Sequence, residues 1–375
     1  MTKTFQEVIT DYLIEKYGDN VGKLVFNSLI IQYLVYKTKS ANRGSKSRGS
    51  FANLYAIYVI VEDYINKGYN ISGDYSEYEG AVFTDLFIRQ RQLPFGEKLQ
   101  NHALNNRMNE EFLKCFPQTQ NVPPIMRNRE TQRYWFNENY LKVQTETGEI
   151  NIAEDVISII DMYVETKQDS FKRFIDQCSK LQNINTEDNQ KVITDFIIGL
   201  LTPNVDARLF EIVSYSILKY YYVDKTIIWG YDYDNLTEEN LKLYKTGRTN
   251  ANDGGIDFVM KPLGRFFQVT ETLDFKKYFL DIEKIEKYPI SFVIKTNDSI
   301  DAIKKKLKND ATKTYVVKSV VDKYISCIEE LITIPILTVY FNELINKGLV
   351  GNVLNEIILQ SKVEFNLSDD EEGNE

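Results

Sequence analysis

Residues 256–271, "IDFVMKPLGRFFQVTE", set two short runs rich in apolar residues on either side of a Pro-Leu-Gly segment. Side chains of a strand point alternately to its two faces, so the stretch reads as a β-hairpin turning at Pro262 to Arg265. The expected register sets Asp257 opposite Thr270, Val259 opposite Gln268 and Lys261 opposite Phe266. Directly opposed residues share a face. Asp257, Gln268 and Thr270 then gather on one side, while Phe258, Met260, Phe267 and Val269 form an apolar back suited to a core. A three-residue loop would undo this convergence, because a one-residue slip sends every side chain to the other face.

The rest of the chain supplies the frame. Apolar residues recur at three- and four-residue spacing in "FQEVITDYLIEKYG", "VGKLVFNSLIIQYLVYK" and "FANLYAIYVIVEDYINKGY", so residues from about 3 to 115 read mainly as helices. "FPQTQNVPPIMRNRETQRYW", with Pro117, Pro123 and Pro124, reads as irregular. Helical patterning returns in "AEDVISIIDMYVETK", "DSFKRFIDQCSKL" and "NQKVITDFIIGLL". From about Pro203 the pattern changes to strands alternating with helices. The helix "RLFEIVSYSILKYYY" precedes "KTIIWGYDY" and the hairpin. Then come the helix "FKKYFLDIEKIEKY", the strand "PISFVIKT", a basic helix "DSIDAIKKKLKNDA", "VVKSVVDKYISCIEELI" and an apolar "TIPILTVYF". The expected class is α/β (α+β). The expected division is a helical region 1–202, an α/β core 203–366 and an acidic, disordered tail 367–375.

Composition narrows the chemistry. The 375 residues are 43% hydrophobic, enough for a substantial core. Cys115, Cys178 and Cys327 lie far apart with no CxxC spacing, which disfavours a zinc site or disulfide framework. The one histidine, His102, has no Ser or Cys nucleophile beside it in the sequence, and a single histidine cannot build a His-rich metal site. Hydrolysis by this chain would therefore rest on carboxylates, amides, lysines and a metal. No charged N-terminal segment with an apolar core occurs, nor any apolar run of about 18 residues. The expectation is a soluble, cytoplasmic bacterial protein with no membrane association.

"GGIDFV" followed by "FFQVT" resembles the PD-(D/E)XK nuclease superfamily in its Mrr-like variant. There GGID opens the central strand and Gln-x-Lys replaces Glu-x-Lys on the next. The longer string "YKTGRTNANDGGIDFVMKPLGRFFQVTET" is similar to ApaLI-like type II restriction endonucleases. The resemblance covers roughly residues 205 to 300. It implies a mixed sheet flanked by helices, with Asp257, Gln268 and Glu211, the last on the preceding helix, as metal ligands, Glu211 binding a second ion or orienting water. Thr270 stands where the family has its lysine, and a hydroxyl cannot supply that charge. Lys261, Lys276 and Lys245 are candidates for a displaced lysine, and Glu271 could join as a ligand if a bulge turned it inward.

A hard cation such as Mg²⁺ takes oxygen ligands and keeps several waters, so one carboxylate, one amide oxygen and a carbonyl would suffice. The resemblance further implies double-stranded DNA as substrate, a homodimer for a palindromic target, and a cognate DNA methyltransferase. Net charge is −9, so DNA contacts must come from clusters. Lys37 to Ser50 holds Lys39, Arg43, Lys46 and Arg48 among glycines and serines, and Lys245 and Arg248 precede the hairpin. Arg89, Arg91, Arg127, Arg129 and Arg133 offer base-reading groups, although for any single one an exposed helix face or a salt bridge is the simpler reading. "KKKLK" (Lys304 to Lys308) reads as a solvated helix face. Two other readings stand beside the restriction enzyme: a modification-dependent Mrr-like nuclease and an inactive nuclease fold that binds DNA.

Overall fold

The structure, a computed structural model, describes residues 3–39, 47–71, 74–97, 99–183, 188–247, 256–315 and 317–365. It is mixed α/β and divides into two compact units, 1–171 and 172–375. That division lies within a helix, 31 residues before the expected boundary at 202/203 (202 − 171). The reason is where the helix buries its side chains. Phe174, Ile175, Cys178 and Leu181 belong to the core of the second unit, whereas Ile159, Ile160, Tyr163 and Val164 belong to that of the first.

The first unit opens with α1 (Phe5–Tyr17), α2 (Asp19–Phe26), α3 (Leu29–Thr38) and α4 (Ser47–Asn66). A capping box starts α1: the Glu7 carboxylate accepts from the Thr4 N–H at 2.6 Å, and the Glu7 N–H bonds to Thr4 Oγ1 at 3.3 Å. The helix expected across Val21 to Lys37 is two helices, because Ser28 takes an extended conformation (φ −62°, ψ 146°) and restarts the chain. Strand β1 (Ala81–Val82) leads into α5 (Phe83–Gln92), and α6 (Met108–Cys115) follows. The stretch expected to be irregular contains β2 (Ile125–Asn128) and β3 (Arg133–Phe136), paired antiparallel with β1 on the far side of β3. Alternating burial of Tyr134 and Phe136 is the period-two signal that its prolines masked. Strands β4 (Lys142–Thr145) and β5 (Gly148–Asn151) form a second hairpin before α7 (Ala153–Asn183).

The second unit contains α8 (Asp188–Gly199), α9 (Ala207–Tyr222), and a separate hairpin of β6 (Thr226–Gly230) and β7 (Leu236–Asn240). Its main sheet is built from β8 (Lys242–Lys245), β9 (Phe258–Lys261), β10 (Arg265–Thr270), β11 (Ile290–Ile294) and β12 (Ile328–Thr333). The strand order is β12-β11-β10-β9-β8, with β8, β9 and β10 antiparallel and β10, β11 and β12 parallel. Helix α10 (Phe275–Lys284) joins β10 to β11, and α11 (Ile300–Thr314) and α12 (Lys318–Ser326) join β11 to β12. The run "VVKSVVDKYISCIEELI" is thus part helix and part strand: Cys327 ends the helix, and its carbonyl accepts from the Ile290 N–H at 2.9 Å. Helices α13 (Ile334–Asn346) and α14 (Val350–Phe365) complete the unit.

All five residues of β11 are buried, which suits a parallel strand covered on both faces. On one face Phe258, Met260, Phe267, Val293 and Ile332 pack with α9, α13 and α14. On the other, Phe292 and Ile294 pack with Phe275, Tyr278, Phe279 and Ile282 of α10 and Ile303 and Leu307 of α11. Arg265 ties β10 to β11 and, across it, to β12, donating to Ser291 Oγ at 2.9 Å and pairing with Glu329 and Glu330. Phe267 is fully buried at the centre of this sheet. Its replacement by Ala should lower unfolding stability by about 3–5 kcal/mol. Urea denaturation of the full chain tests this, and a loss under 1 kcal/mol would contradict the packing described.

Candidate active site around the β9–β10 hairpin

The hairpin forms with a register two residues away from the expected one. Met260 lies opposite Arg265, Val259 opposite Phe266 and Phe258 opposite Phe267. The loop is Lys261 to Gly264, not Pro262 to Arg265, because Gly264 takes a left-handed conformation (φ +64°) and its N–H closes on Met260 O at 2.9 Å. A shift of two keeps each residue of β10 on its expected face. It does move Asp257 away from Thr270.

Asp257 then departs from simple alternation. Its N–H donates to Phe267 O at 2.9 Å, although Phe258 is the residue paired with Phe267. Two residues of one strand therefore address one residue of the other, as in a β-bulge, and bulges re-aim side chains. Asp257 Oδ2 accepts from the Val269 N–H at 2.6 Å, a position along the ladder where a β9 carbonyl would otherwise sit. Its own carbonyl is held by the Thr246 N–H at 2.9 Å and Thr246 Oγ1 at 3.0 Å. Asp257 is 7% exposed and fixed on three sides.

Gln268 and Thr270 share the α10 face of β10, opposite Phe292 and Ile294 in the parallel register. Gln268 Nε2 donates to Val269 O at 3.3 Å, so Asp257 and Gln268 hold the N–H and the C=O of one residue. Gln268 Oε1 is buried and has no hydrogen-bond partner among the described residues. Thr270 is 3% exposed. Its Oγ1 accepts from Lys277 Nζ at 3.2 Å and from the Thr272 N–H at 3.3 Å.

Lys277 did not feature among the sequence candidates. Asp274 caps α10 by accepting from the Lys276 N–H, and Lys276 itself is exposed, as is Lys261. Spacing alone could not choose between two adjacent lysines. The path from β10 into α10 decides it.

Glu211 is not brought to Gln268. It sits in the first turns of α9, 5% exposed, with Oε1 3.1 Å from Lys245 Nζ. Lys245 lies opposite Phe258 and so on the α9 face, where Glu364 approaches it at 3.9 Å. Lys245, expected to meet DNA, is in this structure a buried partner of acids. Glu271 also lies toward that side, and Lys295 Nζ bonds to Glu271 Oε1 at 2.6 Å and to the Val205 carbonyl. Lys295, with its side chain 1% exposed, is a second cation that sequence reasoning missed.

The basic stretches fare unevenly. Arg43, Lys46 and Arg248 lie outside the described residues, as does the side chain of Arg48 in α4. Lys39 is exposed and stands 5.7 Å over the Tyr36 ring. Most arginines weighed as base readers are tied inward. Arg89 makes a two-pronged pair with Glu62 at 2.7 and 2.8 Å, and Arg91 donates to Glu97 O at 2.6 Å. Arg127 donates to Asn105 O at 3.2 Å, and Arg133 to Gly80 O at 2.9 Å. Lys304, Lys305 and Lys306 are exposed on α11, and Lys308 pairs with Asp322 at 2.8 Å. Burial pushes the Cys178 thiol up to about 12, in keeping with a core residue.

Among the described residues, no group of three or more His, Cys, Asp or Glu could hold a metal ion, and no helix is long and apolar enough to cross a membrane. No family model, curated protein or solved structure matches the chain.

Breaking the Glu211–Lys245 pair leaves a buried charge short of one partner. Lys245→Met should lower stability by about 3 kcal/mol, read from urea denaturation. A change below 0.5 kcal/mol would argue that the pair is not structural.

Proposed function

We propose that the second unit is a metal-dependent endonuclease acting on double-stranded DNA, in the manner of a type II restriction enzyme. The observation that carries this reading is the meeting of Asp257 and Gln268 at a single residue of β10, Val269, where Gln268 leaves a buried amide oxygen with no partner among the described residues. A buried unpaired acceptor is costly and calls for a donor or cation. The setting agrees with the nuclease resemblance: a mixed sheet between helices, Asp257 opening one strand, Gln268 on the next, and an acid on the preceding helix.

The donor set suits a hard cation. Asp257 supplies a carboxylate held rigidly by Val269 and Thr246, and Gln268 supplies the amide oxygen. Glu211, bonded to Lys245 on the α9 face, does not join them in this arrangement. When bound, Mg²⁺ would polarise the phosphate and lower the pKa of a coordinated water. Asp257 and Gln268 would hold the ion, and the core behind Phe258 and Phe267 keeps both strands in place. Cutting both strands of a palindromic site would call for two copies of the chain, and protecting the host would call for a methyltransferase.

Plasmid cleavage with Mg²⁺ or EDTA tests the reading, on unmethylated and methylated DNA. Discrete fragments from unmethylated DNA in Mg²⁺ alone are expected. Cutting of methylated DNA only would favour a modification-dependent enzyme, and binding with no cutting an inactive one. Asp257→Asn keeps an acceptor for Val269 but removes the charge. It should slow cleavage at least roughly 100-fold while duplex binding in EDTA persists; an active variant would remove Asp257 from the site. Arg89→Ala, by contrast, should leave the salt dependence of duplex binding unchanged, since that guanidinium is spent on Glu62.

A further inference from the structure

The strand position where the resembling family carries its lysine holds Thr270, yet a lysine reaches that position from the next helix. Lys277 Nζ donates to Thr270 Oγ1 at 3.2 Å. Thr270 is itself fixed: its hydroxyl accepts from the Thr272 N–H, and its carbonyl accepts from the Lys295 N–H at 2.9 Å.

Three further facts bear on what this ammonium does. Lys277 is half-buried, and no carboxylate pairs with it among the described residues, whereas the buried Lys37, Lys245 and Lys295 each meet a glutamate. A partly buried ammonium held by a neutral hydroxyl keeps its full charge available to an anion. Gln268, two residues back on the same face of β10, presents the unpartnered Oε1. An unneutralised cation and an open acceptor therefore lie on one side of one strand. The remaining lysines weighed for this role are placed elsewhere: Lys245 against Glu211, Lys261 at the turn, and Lys276 exposed.

Resting on the nuclease reading, the geometry points to Lys277 as a catalytic residue that touches the scissile phosphate, with Thr270 as its positioning residue. Water oxygen forms the new P–O bond, and one ester P–O bond breaks with its electron pair passing to the leaving alkoxide. The water's proton goes to solvent, and the alkoxide takes one up from solvent. Lys277 stays protonated throughout. Its charge offsets the negative charge that builds on the non-bridging phosphate oxygens. A lysine carried by a helix in place of the strand would divide one strand residue's task between two elements.

The test compares wild type, Lys277→Met, Lys277→Arg and the double variant Thr270→Lys/Lys277→Met. Each is assayed for plasmid cleavage in Mg²⁺, for duplex binding in EDTA across a salt series, and for Tm. Lys277→Met should cut roughly 100-fold more slowly. Its slope of log K against log salt should shrink by about 1, the loss of one phosphate contact, which a merely structural role would not move. Lys277→Arg should retain the wild-type slope. Restoring a lysine on the strand, in the double variant, should recover at least tenfold of the lost rate. Wild-type cleavage with an equally active Lys277→Met of unchanged salt slope overturns this inference alone. A low Tm for Lys277→Met together with no recovery in the double variant also overturns it. A wild-type chain that cuts no DNA overturns the nuclease reading and the inference with it.

Discussion

The second unit depends on one strand being buried on both faces. Strand β11 runs between two parallel neighbours, and Ile290, Phe292, Val293 and Ile294 leave no solvated side. Such a strand needs helices above and below, because each face must be closed by apolar side chains. Helices α9, α13 and α14 close one face, and α10, α11 and α12 the other. The hairpin of β9 and β10 is fastened to this strand, so its backbone is rigid where the candidate chemistry sits.

That constraint also sorts the charges. Charged groups are costly in the middle of a sheet covered twice, so they collect where strands end. Thr270 and Glu271 close β10, Lys295 follows β11, and Asp257 precedes β9. Each is met by a specific partner, as burial demands: Asp257 by the Val269 N–H, Lys295 by Glu271, and Thr270 by Lys277. Gln268 Oε1 is the exception that the functional proposal uses.

How much of this could be read in the sequence differs from one residue to the next. The apolar back of the hairpin, Phe258, Met260 and Phe267, was legible because period-two alternation survives any even shift of register. The pairing of Asp257 with Thr270 was not, since it rested on where the turn closes. The left-handed Gly264 moved that closure by one residue on each strand. The break at Ser28, the short β2–β3 hairpin and the helix-to-strand change at Cys327 were hidden for a similar reason. Local patterning there suits two states, and long-range pairing selects one. Arg89, Arg91, Arg127 and Arg133 carried no signal of their fates, because a guanidinium that reads a base and one bonded to a carbonyl look identical in a sequence.

The sequence by itself determined which face of the hairpin is apolar, and that any hydrolysis by a chain with one histidine would have to rest on carboxylates, amides, lysines and a metal. Tertiary structure decided which of those groups meet. Lys245 was drawn to Glu211, and Lys277, seven residues beyond Thr270 (277 − 270), was returned to it by the turn into α10. The physical reason is that periodicity fixes only the face to which a side chain points. What stands opposite that face depends on turn closure, bulges and the docking of helices from distant parts of the chain.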